Sequence, residues 1–105
     1  MNRDDPILRR FREGLVRLYG QRLRQVLLYG SSARNEETPG SDIDLLVLLD
    51  GPVDAALEIR RIWDALYPLQ LESDRLISVM PADASSVRRG EYTLYRRAVS
   101  EGVAL

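Results

Sequence analysis

The sequence contains no cysteine, no histidine and no lysine. Without cysteine, a disulfide framework and any thiolate metal site are excluded. Without histidine there is no imidazole ligand, no imidazole general base, and no Ser-His-Asp or Cys-His arrangement. Without lysine, neither a Walker-type phosphate loop nor Schiff-base chemistry is open to the chain. Long hydrophobic runs are missing too: the longest, Leu45 to Leu49, is far too short to span a membrane. The charged start Met1-Asn2-Arg3-Asp4-Asp5 is not followed by the apolar stretch of a secretion signal, so a cytoplasmic location is expected. What remains for chemistry is carboxylates, hydroxyls, arginines and whatever metal they bind.

The 105 residues suit one small domain spanning 1–105, with one core and no room for a separate substrate-binding domain. A hydrophobic fraction of 45% and a charged fraction of 30% are those of an ordinary globular protein. The net charge of -1 is unevenly spread. Arginines crowd the first segment (Arg3, Arg9, Arg10, Arg12, Arg17, Arg22, Arg24), and carboxylates dominate the middle (Glu36, Glu37, Asp42, Asp44, Asp50, Asp54, Glu58, Asp64). The arginines read either as a solvated helix face or as a surface for nucleic acid or an acidic partner. Direct nucleic-acid binding is not expected, because a template would need positive charge where the chain is acidic.

Asp5 followed by Pro6 predicts a helix start, and Ile7, Leu8, Phe11, Leu15, Leu18 and Tyr19 then fall at helical spacing up to Gly20. Gln25 to Tyr29 is a short apolar strand ended by Gly30, and the polar loop 36–40 leads to a second strand, Ser41 to Leu49, read as buried on both faces beyond Asp44. Asp54 caps a helix whose core stripe is Leu57, Ile59, Ile62, Trp63 and Leu66, closed by Pro68. A third strand falls within Leu69 to Met80, ended by Pro81, and a last helix covers Tyr92 to Ser100, with Leu94, Tyr95, Ala98 and Val99 inward and Gly102 as its cap. The expected fold class is α/β (α+β): a small mixed sheet of three or more strands with helices packed against it.

Asp42 and Asp44 stand two apart at the start of an apolar strand. Residues i and i+2 of a strand share a face, with Cα atoms about 7 Å apart at a rise of about 3.3 Å per residue. Their oxygens can converge on a hard cation such as Mg²⁺, which is held by one or two carboxylates plus substrate phosphates. Without a cation, two adjacent like charges resist burial. Gly30-Ser31-Ser32 ends the preceding strand and opens what reads as a turn or short helix. Glycine lets a phosphate approach the backbone, helix-initial N–H groups are aimed at anions, and the Ser31 hydroxyl can donate to a phosphate oxygen. Arg34 is suited to phosphate and equally to a structural ion pair.

The order Gly30-Ser31-Ser32-Ala33-Arg34-Asn35, a short spacer, then Ser41-Asp42-Ile43-Asp44-Leu45 resembles the DNA-polymerase-beta-type nucleotidyltransferase superfamily, and within it the minimal nucleotidyltransferase domains of bacteria and archaea. The pattern there reads Gly-Ser-x-Ala-Arg-Gly and Ser-Asp-x-Asp-Leu; Asn35 departs from it where glycine is usual. The resemblance implies a polymerase-beta-like core, ATP as substrate, triphosphate contacts from Gly30 and Ser31, and Mg²⁺ held by Asp42 and Asp44 with a third carboxylate on the following strand that helps activate the acceptor hydroxyl; Arg34 and Ser41 are further candidates for nucleotide binding. Asp74 is preferred for that third place, with Glu72 as the alternative. The implied role is that of an antitoxin, a protein adenylyltransferase that moves AMP from ATP to a tyrosine of a partner HEPN-type ribonuclease toxin. Two other roles stay open: a binding-type antitoxin that masks its partner, and nucleotidyl transfer to a small molecule.

Overall fold

The computed structural model describes residues 5–30, 33 and 41–105. Ser31, Arg34, Asn35 and the loop 36–40, on which several of the expectations above fall, lie outside the described residues.

Helix α1 (Pro6–Tyr19) starts as the sequence predicts: the Asp5 side chain accepts from the Ile7 backbone N–H at 2.9 Å, and proline occupies the first helical position. Gly20 ends it with φ 55°, a conformation that L side chains rarely adopt. After a 3-10 turn over Gly20–Arg22 come β1 (Leu23–Tyr29) and β2 (Ile43–Leu49). Helix α2 (Ala55–Glu72) is capped by Asp54, whose carboxylate accepts from the Leu57 N–H at 3.2 Å. Strand β3 (Ile77–Asp83), the short helix α3 (Ala84–Arg89), α4 (Thr93–Glu101) and the two-residue β4 (Val103–Ala104) complete the chain.

The strands form one mixed sheet in the order β3-β2-β1-β4. β1 pairs antiparallel with both β2 and β4, and β2 pairs parallel with β3 across the α2 crossover. One face carries the main core. Leu8, Phe11 and Leu15 of α1 and Ile62, Leu66 and Leu69 of α2 pack there on Val26, Leu28, Ile43, Leu45, Val47, Leu49, Ile77 and Val79. Trp63 joins them edge-on to Phe11, ring centroids 5.7 Å apart. The alternate residues Leu27, Leu46, Leu48 and Ala82 face the other way, where Ala84, Val87 and Ala98 of α3 and α4 cover them. β2 is thus buried on both sides beyond Asp44, which explains its unbroken apolar run. The expected α/β class with a mixed sheet and packed helices is the fold observed. Among the described residues no helix is long and apolar enough to cross a membrane.

Several expected boundaries are corrected. Pro68 does not close α2; the helix continues to Glu72. A mid-helix proline costs about 3 kcal/mol, and the extra turn places Leu69 in the main core at 8% exposure and delivers Gln70 to the start of β3. The Gln70 amide donates to the Arg75 carbonyl at 3.0 Å and accepts from the Ile77 N–H at 2.8 Å. β3 begins at Ile77, within the expected Leu69–Met80, but runs on to Asp83, so Pro81 lies inside it and does not end it. β3 is an edge strand, where a missing N–H can be tolerated on the open side. Leu57, Leu94 and Val99, expected inward, are exposed at 44%, 40% and 56%. α4 is shifted one residue from the expected Tyr92–Ser100 to Thr93–Glu101, and Gly102 caps it in an extended conformation with φ -74°.

Candidate functional site

The site is built where β1 ends and β2 begins. Tyr29, the last residue of β1, is paired with Asp44 in the antiparallel register. Gly30 follows with φ 75°, turning the chain away from the sheet. The turn brings the Gly30 backbone against the Asp44 carboxylate: a Cβ at Gly30 would stand 2.7 Å from Asp44 Oδ2, closer than such atoms approach. Glycine is therefore demanded twice here, by the dihedral and by the carboxylate beside it.

Asp44 is half-buried. Burial, and after it the charge of Asp42, push its carboxyl above the usual carboxylate range. Asp44's charge in turn adds to burial in pushing the Tyr29 phenol up. Asp42 lies just before β2 and is exposed. Its backbone is held by a residue that sequence reasoning did not single out for this purpose. Arg75 donates through Nε to the Ser41 carbonyl at 2.6 Å and through Nη2 to the Asp42 carbonyl at 3.5 Å, while the Ile43 N–H donates to the Leu76 carbonyl at 2.8 Å. The Ser73 hydroxyl and the Gln70 amide both donate to the carbonyl of Arg75. The segment before β3 thus braces the segment before β2, a contact between residues more than thirty positions apart that no local pattern announces.

Asp42, Asp44 and Gly30 are brought to one end of the sheet. Ser41 is there too, through its backbone; Ser31 and Arg34 lie outside the described residues. Asp74 and Glu72 are not brought to Asp44's face. Asp74 sits in a bend three residues before β3, exposed, and lines a separate cleft with Asp5, Ile7, Ile43 and Arg75 on the side covered by α1. The expected position on the third strand fails because that strand starts later, so the two-residue period does not reach back to Asp74. Glu72 is the last residue of α2, paired with Arg10 of α1 at 2.9 Å, which lowers its carboxyl. The β3 residue opposite Asp44 in the parallel register is Ser78. Among the described residues no group of three metal-ligating side chains forms.

Two carboxylates at one strand entry, near enough that Asp42's charge acts on the half-buried Asp44, are donors that suit a hard divalent cation. The positive-φ glycine beside them leaves backbone open to an anion. A cleft of about 370 Å³ adjoins this corner, lined by Tyr29, Gly30, Thr93, Leu94 and Arg97 among others. Its size is within the range of small-molecule sites. A carboxylate pair, a glycine turn and a partly apolar cleft with an arginine together make a corner suited to a metal-complexed phosphoester.

The nucleotidyltransferase domain family matches residues 8–89, a span that takes in the Gly30 turn, both aspartates and β3. The chain belongs to this family. A solved structure, described as the crystal structure of a toxin-antitoxin with AMP-PNP, superposes with a TM-score of 0.57 at 23% identity, covering 90% of this chain and 69% of that one. That likeness is one of fold. No curated protein matches the chain. In this nucleotidyltransferase domain the family match and the Asp-x-Asp corner coincide on the same strands.

Proposed function

We propose that the chain is a nucleotidyltransferase-type antitoxin that binds Mg²⁺-complexed ATP at the Gly30–Asp42–Asp44 corner and transfers AMP to a tyrosine hydroxyl of a partner HEPN-type toxin. The observation that supports the site is the close approach of the positive-φ Gly30 to the Asp44 carboxylate, a glycine backbone beside the two aspartates read here as metal ligands. The transferase class is supported by the family match. The antitoxin role is supported by the sequence resemblance and by the fold shared with a toxin-antitoxin structure.

On this reading Asp42 and Asp44 hold the cation, and Arg75 keeps Asp42 in register by fixing the carbonyls of Ser41 and Asp42. Mg²⁺, when bound, supplies positive charge against the triphosphate. Gly30, with Ser31 and Arg34, contacts the phosphates, and the cleft beside Tyr29 and Arg97 takes the nucleoside. The acceptor hydroxyl gives up its proton to water, its oxygen forms a bond to the α-phosphorus, the bond from that phosphorus to the bridging oxygen breaks, and pyrophosphate leaves.

A second reading, a binding-type antitoxin that neutralises by masking, is favoured by one observation: the residue opposite Asp44 on β3 is the neutral Ser78. The test is incubation with Mg²⁺ and each labelled nucleoside triphosphate, with and without the product of the neighbouring gene. The transferase reading expects a nucleotidyl adduct on a partner tyrosine, from ATP. Neutralisation of the partner with no adduct at any nucleotide would leave masking in its place.

A further inference from the structure

We infer that Ser78 limits this site to a single divalent cation per bound nucleotide, and that it is the residue which holds back activation of the acceptor. The inference rests on the proposed nucleotide site and deepens it. In the parallel pairing of β2 with β3, Asp44 lies opposite Ser78, on strands about 4.8 Å apart. The flanking pairs show that the two share a face. Ile43 and Ile77 on one side, and Leu45 and Val79 on the other, point into the main core, while Leu46 and Met80 point the opposite way with Asp44 and Ser78. Ser78 is exposed, on an edge strand, where an incoming acceptor can reach it.

One cation with phosphate oxygens needs only one or two carboxylates, which Asp42 and Asp44 provide. A second cation about 3.5–4 Å from the first needs a further anionic ligand on the same face. Ser78 is in the place for it and offers a neutral hydroxyl. The next positions of β3 on this face are Met80 and Ala82, which offer no carboxylate. Asp83, at the end of β3, accepts from the Ser85 N–H at 2.8 Å as the cap of α3. Glu72 is engaged with Arg10 on α1. Glu101 of α4 lines the adjoining cleft with Tyr29 and Gly30, but among the described residues no third carboxylate groups with the pair. During transfer the acceptor hydroxyl's proton meets a neutral hydroxyl, not a carboxylate, opposite Asp44 and passes to water, which makes the step slow.

The experiment counts Mn²⁺ bound to the full chain by electron paramagnetic resonance, in the presence of a non-hydrolysable ATP analogue, and follows transfer to the partner in parallel. Wild type is expected to hold one Mn²⁺ per nucleotide, Ser78→Asp to hold two, and Ser78→Asn, a neutral variant of similar size to aspartate, to hold one. Transfer by Ser78→Asp is expected to rise about 100-fold or more, the range for an added general base. Two Mn²⁺ in wild type, or one in a Ser78→Asp variant whose circular dichroism matches wild type, would overturn the inference. Asp44→Asn distinguishes the two levels: retention of nucleotide-dependent Mn²⁺ in that variant would overturn the proposed site itself.

Discussion

Replacing Gly30 by alanine is the sharpest probe of how the corner is built. The substitution acts in two ways. At φ 75° an L-residue is strained, by about 1–2 kcal/mol for a left-handed backbone. The new Cβ would also sit 2.7 Å from Asp44 Oδ2, so the carboxylate must swing away. The strain lowers Tm by about 4–8 °C per kcal/mol for a domain of this size. The displacement acts on binding: misplacing groups that orient a metal ligand typically costs about 10–100-fold in affinity. Gly20→Ala separates the two effects, because Gly20 has φ 55° with nothing within 4 Å of its added Cβ. Thermal unfolding is expected to show a loss for both variants, while titration with Mg²⁺ and ATP shows weakened binding only for Gly30→Ala. Equal binding by Gly30→Ala and wild type, or equal loss in Gly20→Ala, would refute the reasoning.

Three further outcomes are expected. Glu58, 2% exposed, accepts from Tyr19 at 2.9 Å, Arg22 at 2.9 Å and Arg61 at 3.1 Å, and so ties the turn before β1 to α2; Glu58→Ala should lose about 2–4 kcal/mol in chemical denaturation, since breaking such a pair leaves its partners stranded. Burial alone would raise the Glu58 carboxyl, but its hydrogen bonds to Arg22 and Tyr19 and the two arginine charges hold it below its ordinary value of 4.5, so its contribution is full above that pH and is lost as pH falls through the depressed value; the stability gap between wild type and Glu58→Gln should therefore shrink in acid, and a gap that widened would contradict the assignment. Arg75→Ala releases the carbonyls of Ser41 and Asp42 and should weaken Mg²⁺–ATP binding about tenfold or more, with hydrogen exchange rising at Asp42 and Ile43.

Much of the fold is written in local chemistry. The caps at Asp5 and Asp54, the stop at Gly20 and the both-sides-buried β2 follow from residue types and spacing, and each is found where the sequence puts it. The misplacements share one cause, tertiary packing overriding a local breaker. Pro68 and Pro81 read as stops, yet Leu69 is drawn into the core past the first, and the second sits on an edge strand. α3 and β4 were too short to show a period: α3 is fixed by the Asp83 cap, β4 by pairing with Leu27 and Leu28. At the site, the closeness of Gly30 to Asp42 and Asp44 could be anticipated because they flank one loop. The brace from Arg75 and the place of Ser78 opposite Asp44 could not, because both depend on the register of β3, which Pro68 obscured.

The central claim is that Asp42 and Asp44 hold a cation that the nucleotide brings with it. Calorimetric titration of ATP into wild type, Asp42→Asn and Asp44→Asn, each with Mg²⁺ and with EDTA, tests it most directly. The account predicts binding by wild type only with Mg²⁺ and its loss in both variants. It also predicts a higher Tm for metal-free Asp44→Asn than for metal-free wild type at neutral pH, because the amide removes a charge that burial and Asp42 disfavour. Binding of ATP that is equally strong in EDTA, or undiminished in both variants, would contradict it.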